Sequence, residues 1–207
     1  MRFVVWRGVE EWLAEAASID LRDGGLSANG IQLGAHPTPY RVDYRLDASD
    51  GFVTTELELA STGDGWRRRL LLRHDGSGRW SAEVDDDGNP PGGGWDGELP
   101  DLSDALDIDI GFSPLTNSMP ILRHELHRQE GSRDFVMAWV SVPDLRVTAE
   151  KQRYEHVRTD GEGATVRFLE VDRDFTADLE LDSDGLLAFY PALSRRVAGE
   201  EMAAGRH

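Results

Sequence analysis

The sequence predicts an all-β domain in which one antiparallel sheet curls into a barrel, roll or sandwich, with one or two short helices. Three observations carry this. First, Asx-Gly pairs recur at Asp23-Gly24, Asn29-Gly30, Asp50-Gly51, Asp64-Gly65, Asp75-Gly76, Asp87-Gly88, Asp96-Gly97, Asp160-Gly161 and Asp184-Gly185. Such pairs tolerate positive φ and favour tight hairpin turns. Second, the segments between them alternate apolar and polar with period two. Third, helix signals are scarce.

The elements follow in order. Glu10 to Ala17 has helical propensity, but Trp12, Ala14 and Ala16 also fit one face of a strand. Val42, Tyr44 and Leu46 alternate with Asp43, Arg45 and Asp47. Trp80, Ala82 and Val84 alternate with Ser81 and Glu83. Asp85 to Gly94 (DDDGNPPGGG) reads as a polar, mobile loop. Leu106, Ile108 and Ile110 face one way on a strand, with Asp107 and Asp109 on the other, a solvated or hydrogen-bonded polar face. The strand breaks at Gly111, and Ser113-Pro114 predicts a helix start, with Ser113 as cap and Pro114 in the first turn. Phe175, Ala177, Leu179 and Leu181 alternate with Thr176, Asp178, Glu180 and Asp182. A second short helix is expected after Pro191, from Ala192 to Met202. There is no repeat and no linker, so the organisation is one domain spanning 1–207.

Composition narrows the function. The 207 residues suffice for a substantial core. The chain lacks cysteine, which excludes disulfides, thiolate metal sites and thiol catalysis. A net charge of −17 argues against nucleic-acid partners, which need clustered cations, and against anionic membrane surfaces. No apolar run is long enough to span a membrane, so stable insertion is not expected. The apolar run Phe3–Trp6 is too short for a secretory signal, so the expected location is cytoplasmic. Of 22 basic residues, only Lys151 is lysine. An acidic, lysine-poor surface suits high ionic strength; a salt-adapted source or a GC-rich genome would each produce it. Stability is expected to rise with salt, because screening weakens self-repulsion as the Debye length falls from about 10 Å at 0.1 M to about 3 Å at 1 M. A melting temperature that stays flat or falls between low and molar sodium chloride would contradict this.

Chemistry-bearing patterns are few. Asp107 and Asp109 would hold their carboxyls about 6.5–7 Å apart along a strand, at the short end of the inverting-glycosidase range. Paired carboxylates also hydrogen-bond sugar hydroxyls well. Thr116, Asn117 and Ser118 form a polar triplet framed by Phe112, Leu115, Met119 and Ile121, which suits a pocket floor or a capped turn. His124-Glu125-Leu126-His127 lacks metalloprotease spacing, so no metal and no cofactor are expected. Arg67-Arg68-Arg69 is the basic cluster, read as a neutralised strand or as an anionic head-group site. Most of the six tryptophans are assigned to the core, with Trp80 and Trp139 interior and Trp95 at a rim.

Asp107-x-Asp109, followed by Pro114-x-Thr116-Asn117-x-Met119-Pro120-Ile121, resembles the signature of the bacterial "putative glycolipid-binding" family, formerly a domain of unknown function. Asp96-Gly97 agrees with it, as do Val142–Val147 with Gln152-Arg153-Tyr154, and Leu181-Asp182 through Asp184-Gly185-Leu186 to Tyr190-Pro191. The chain departs from the pattern at Leu122-Arg123, where the family carries a basic pair. The resemblance implies a spiral β-roll: a long sheet around a central helix, with a hydrophobic interior like that of lipoprotein carriers. It also implies that Trp12–Ala16 is strand. It implies non-enzymatic binding of a small amphipathic ligand, a glycolipid or lipid. Apolar strand faces would enclose the acyl part, and Thr116, Asn117, Gln152, Tyr154, Asp107 and Asp109 would hold the head. Two alternatives stand beside it: a carbohydrate-active hydrolase using Asp107 and Asp109, and a structural domain with no ligand.

Overall fold

The computed structural model describes residues 1–197. A first meander runs through β1 (Arg2–Gly8), β2 (Leu13–Arg22), β3 (Gly25–Gly34), β4 (Tyr40–Ser49), β5 (Val53–Gly63), β6 (Trp66–His74) and β7 (Trp80–Gly88). The chain then passes through β8 (Ala105–Ile110) and α1 (Ser118–Arg123). A second meander follows through β9 (Ser132–Val140), β10 (Val147–Thr159), β11 (Gly163–Glu170), β12 (Phe175–Asp182), β13 (Leu187–Tyr190) and β14 (Ser194–Arg196). Pairing of β1 with β14 joins the two into one 14-stranded sheet, ordered β7-β6-β5-β4-β3-β2-β1-β14-β13-β12-β11-β10-β9-β8. The fold is therefore all-β with a single curled sheet. Every pairing is antiparallel except β8 with β9, which is parallel.

The curl returns the edge strand β8 to the inside of the sheet. The Ile108 N–H donates to the Thr54 hydroxyl on β5 at 3.3 Å, and the Trp80 indole on β7 donates to the Ala105 carbonyl at 3.0 Å. With β9 on one side and β5 and β7 on the other, β8 is buried on both faces from Asp107 to Ile110. Leu106, expected on the side of Ile108 and Ile110, is exposed beside a break in the β8–β9 register. Asp107 and Asp109 are only 1% and 7% exposed, which decides against a solvated acidic face.

Period-two segments bury the expected sides. Val42, Tyr44 and Leu46 are core, as are Ala177, Leu179 and Leu181. Tyr40 and Tyr44 lie across their pairing partners Gly34 and Gly30, where an added Cβ would fall 2.3 and 2.2 Å from the ring. Asn29-Gly30 is therefore the middle of a strand and not a turn. By contrast Asp23-Gly24, Asp50-Gly51, Asp64-Gly65, Asp75-Gly76, Asp160-Gly161 and Asp184-Gly185 do join consecutive strands.

Helix α1 is central, with Ser118 to Leu122 all buried. Met119 packs into a larger core built mainly on the first meander, and Ile121 into a smaller one between β10 and β13. The helix begins at Ser118 and not at Ser113-Pro114, and Asn117 precedes it without capping it. The cap groups are engaged elsewhere, since Ser113 donates to Glu15 and Asn117 to Tyr154.

Three other expectations need correction. Glu10 to Ala17 is strand from Leu13, but the inward face carries Leu13, Glu15 and Ala17, while Trp12 is exposed. After Pro191 the chain forms a turn and β14, not a helix; positions 198–202 of the expected helix lie outside the described residues. Asp85 to Gly88 belongs to β7, and the rest of the loop is tethered by Arg146 to the carbonyls of Gly92, Gly93 and Gly94. Arg67, Arg68 and Arg69 pair across strands with Asp87, Asp86 and Asp85, in line with the neutralised-strand reading. Arg68 is fully buried, holding Asp86 through two 2.7 Å hydrogen bonds and the Asp144 carbonyl through a third. Among the tryptophans, Trp6 is fully buried, and Trp66, Trp80 and Trp95 pack partly buried against the core.

Candidate functional site

Five of the six residues singled out in the sequence meet in one buried hydrogen-bond chain. β8 ends at Ile110 and the backbone turns sharply through Gly111 and Phe112, so Thr116 comes back beneath Asp109. The Thr116 hydroxyl donates to Asp109 Oδ1 and the Gln152 amide donates to Asp109 Oδ2, each at 2.7 Å. The Tyr154 hydroxyl donates to Gln152 Oε1 at 3.0 Å, and Asn117 Nδ2 donates to the Tyr154 oxygen at 3.0 Å. Gln152 and Tyr154 are two apart on β10 and so share its inward face. Burial lifts the Asp109 carboxyl from 3.8 to about 6, against the pull of its two donors. Burial also holds the Tyr154 phenol well above its usual value.

Asp107 lies apart from this chain. Arg123 clasps both of its carboxylate oxygens, with Nη1 at 2.7 Å from Oδ2 and Nη2 on Oδ1. Burial raises the Asp107 carboxyl and the guanidinium opposes this. Arg123 also donates to the carbonyls of Gly51 and Phe52, at 2.8 and 2.7 Å. The pair thus locks α1 to the β4–β5 turn. His124 and His127 lie in the turn after α1 rather than on a strand. Among the described residues, no three His, Cys, Asp or Glu side chains group to hold a metal ion.

The hydrogen-bond chain borders a chamber of about 450 Å³ lined by Asp109, Asn117, Trp139, Glu150, Gln152 and Glu170, with Arg173 beside them. Arg173 donates to Glu150 at 3.1 Å, lies 3.0 Å from Glu170, and stacks over Trp139 at 5.7 Å. Burial raises Glu150 from 4.5 to about 7 despite Arg173, and the neighbouring Glu170 adds to the rise. The chamber adjoins an apolar cleft of about 660 Å³ at one end of the roll, where Trp12, Leu13, Tyr40, Pro191 and Leu193 converge from strand ends and connecting loops. Cleft and chamber share Phe112, Val142, Phe175, Tyr190 and Leu193. Phe112 stands at the junction, 46% exposed, with φ +63°. That is a strained conformation for a bulky side chain, and strain of this kind clusters at functional sites.

The sequence reading missed Glu150, Glu170 and Arg173. Glu150 carried a legible signal, because it sits two residues before Gln152 and four before Tyr154 on the same strand face. It also missed Glu15, which lies on the inward face of β2, 1% exposed, and accepts from Tyr44 at 2.7 Å and Ser113 at 2.9 Å.

Asn117 ties the α1 entry to β10. Asn117→Leu should cost about 1–3 kcal/mol by leaving buried partners unpaired. Asn117→Asp should be at least as harmful, because it removes the donor and buries a charge. Thermal melts check both, and wild-type stability in the two variants would remove the structural role. Asp109→Asn would be mild on a solvated face. Here it sets an amide N–H₂ against the Thr116 or Gln152 donor and should lower the melting temperature.

Comparison with known proteins agrees with this architecture. A crystal structure of a DUF1089 family protein from Pseudomonas aeruginosa is similar to it, with 26% sequence identity and a TM-score of 0.69, covering 93% of this chain and 95% of that one. No curated protein matches the sequence. Residues 3–196 match the family described as "Putative glycolipid-binding", and the chain belongs to that family.

Proposed function

We propose that the protein binds an amphipathic ligand of the glycolipid or lipid type, with the apolar part in the cleft and the polar head in the chamber. The carrying observation is that an apolar cleft and a polar chamber lie side by side with Phe112, Val142, Phe175, Tyr190 and Leu193 as common walls. Both volumes lie in the range of small-molecule sites, and mostly apolar walls with a few oriented polar groups are what such sites present. The family description supports a binding role. Asp109, Thr116, Asn117, Gln152 and Tyr154 would order the head, with Asp109 and Asn117 facing it and the others holding them in place. Asp107 is assigned to structure, since it is 1% exposed and held by Arg123. A hydrolase that uses Asp107 with Asp109 therefore lacks an accessible second carboxyl. The acyl part is assigned to the loops at the end of the roll, because the strand faces expected to enclose it are filled core.

Octyl glucoside, titrated below its micelle concentration by calorimetry, tests the reading. Saturable binding supports it, and its absence overturns it. Phe112→Asn should weaken that binding. It should leave stability within about 1 kcal/mol of wild type or higher, because asparagine relieves a left-handed backbone worth about 1–2 kcal/mol. Loss of stability together with unchanged binding would make Phe112 a packing residue instead.

A further inference from the structure

We propose that the chamber selects a head group carrying a protonated amine and disfavours phosphate, sulfate and carboxylate heads. The inference rests on the amphiphile-binding reading above and names its head-group class. Three carboxyl side chains, Asp109, Glu150 and Glu170, line the chamber against one guanidinium. That guanidinium is already committed, since Arg173 serves Glu150 and Glu170 together. The two groups that hold Asp109, Thr116 and Gln152, are neutral donors.

Asn117 supplies an independent observation. The residue is 3% exposed and lines the chamber, yet its Oδ1 accepts no hydrogen bond from any described residue. What the chamber leaves unmatched is therefore acceptor capacity and negative charge. An ammonium brings three donors and a positive charge. A phosphate or sulfate brings acceptors and like charge, which is repelled. Glu10 and Glu11 at the mouth of the cleft add the same sign along the entry path. Burial raises the Asp109 and Glu150 carboxyls and the neighbouring Glu170 adds to the rise, so an incoming ammonium would displace their protons.

The experiment compares three eight-carbon probes by calorimetry at pH 7.5: octylammonium, octyl glucoside and octyl sulfate, each below its micelle concentration. Sodium chloride at about 1 M shortens the Debye length to about 3 Å, so the general attraction of an acidic surface for cations is screened. Octylammonium should bind about tenfold tighter than octyl glucoside, the effect of one charge-assisted hydrogen bond, and octyl sulfate should bind more weakly than either. At pH 6.5, where Glu150 is still largely protonated, octylammonium binding should also release protons, visible as a heat that changes with buffer ionisation enthalpy. The Glu150→Gln/Glu170→Gln variant, or Glu150→Gln alone if the double variant does not fold, should cut the ratio of octylammonium to octyl glucoside affinity severalfold. Octyl sulfate binding as tightly as octylammonium would overturn the proposal. Octyl glucoside binding tightest would overturn it while leaving the amphiphile reading intact. A ratio unchanged in the variants would place the preference on the surface and overturn it too. No saturation by any probe would overturn both.

Discussion

Arg123→Ala should destabilise the protein by about 3–5 kcal/mol, the usual cost of removing one partner from a buried ion pair. In a domain of this size that lowers the melting temperature by about 6–20 °C. The substitution leaves Asp107, which is 1% exposed, with an uncompensated charge. It also removes the donors to the Gly51 and Phe52 carbonyls and so releases α1 from the β4–β5 turn. A double variant, Arg123→Met with Asp107→Leu, should recover much of the loss, because replacing both charges by apolar groups removes the desolvation penalty. Melts of the single and double variants read this out. A loss below about 1 kcal/mol in Arg123→Ala, the value of an exposed pair, would show that the pair is solvated in solution.

The second large effect is a pH dependence centred on Glu15. Burial raises its carboxyl from 4.5 to about 7, against the hydrogen bonds from Tyr44 and Ser113. Below about pH 4.5 both folded and unfolded chains hold this proton, and the group does not influence stability. Between 4.5 and about 7 the unfolded chain loses the proton first, so rising pH favours unfolding. Above about 7 the penalty is constant, at about 3 kcal/mol for a rise of this size. Asp109, raised to about 6, and Glu150, raised to about 7, act in the same direction. Asp182, whose carboxyl is lowered by Arg196 despite its burial, stabilises above its unfolded value and is lost only in acid, outside this window. His124 and His127, lowered by burial, act the other way below about pH 6.5. The protein should therefore melt higher at pH 5 than at pH 8. Glu15→Gln mimics the protonated carboxyl and should raise the melting temperature at pH 8 with little change at pH 5. Greater wild-type stability at pH 8, or an equal loss in Glu15→Gln at both values, would contradict the assignment.

Alternation along single strands made the fold class legible. Val42, Tyr44 and Leu46 bury one side of β4 because side-chain direction follows from backbone pleat alone. Parity failed where a strand is covered on both faces. Asp107 and Asp109 look solvated in the sequence, but the curl that inserts β8 beside β5 buries them, and no local pattern announces that. The same holds for Glu15, a charged residue that occupies an inward position because Tyr44 and Ser113 arrive from elsewhere to meet it.

By itself, then, the sequence determined an all-β chain, most of its hairpin turns, and a signature that places Asp109, Thr116 and Asn117 within one short segment. These depend on short-range geometry: turn chemistry, period two, and motif order along the chain. Only the tertiary structure decided that Gln152 and Tyr154 reach Asp109 and Asn117, that Asp107 pairs with Arg123, that Glu150, Glu170 and Arg173 complete the chamber, and that the chamber lies beside the cleft at Phe112. Those outcomes depend on which strands the rolled sheet brings face to face. The distance between β8 and β5, or between Phe112 and Tyr190, is set by the curl of the whole sheet and not by any segment within it.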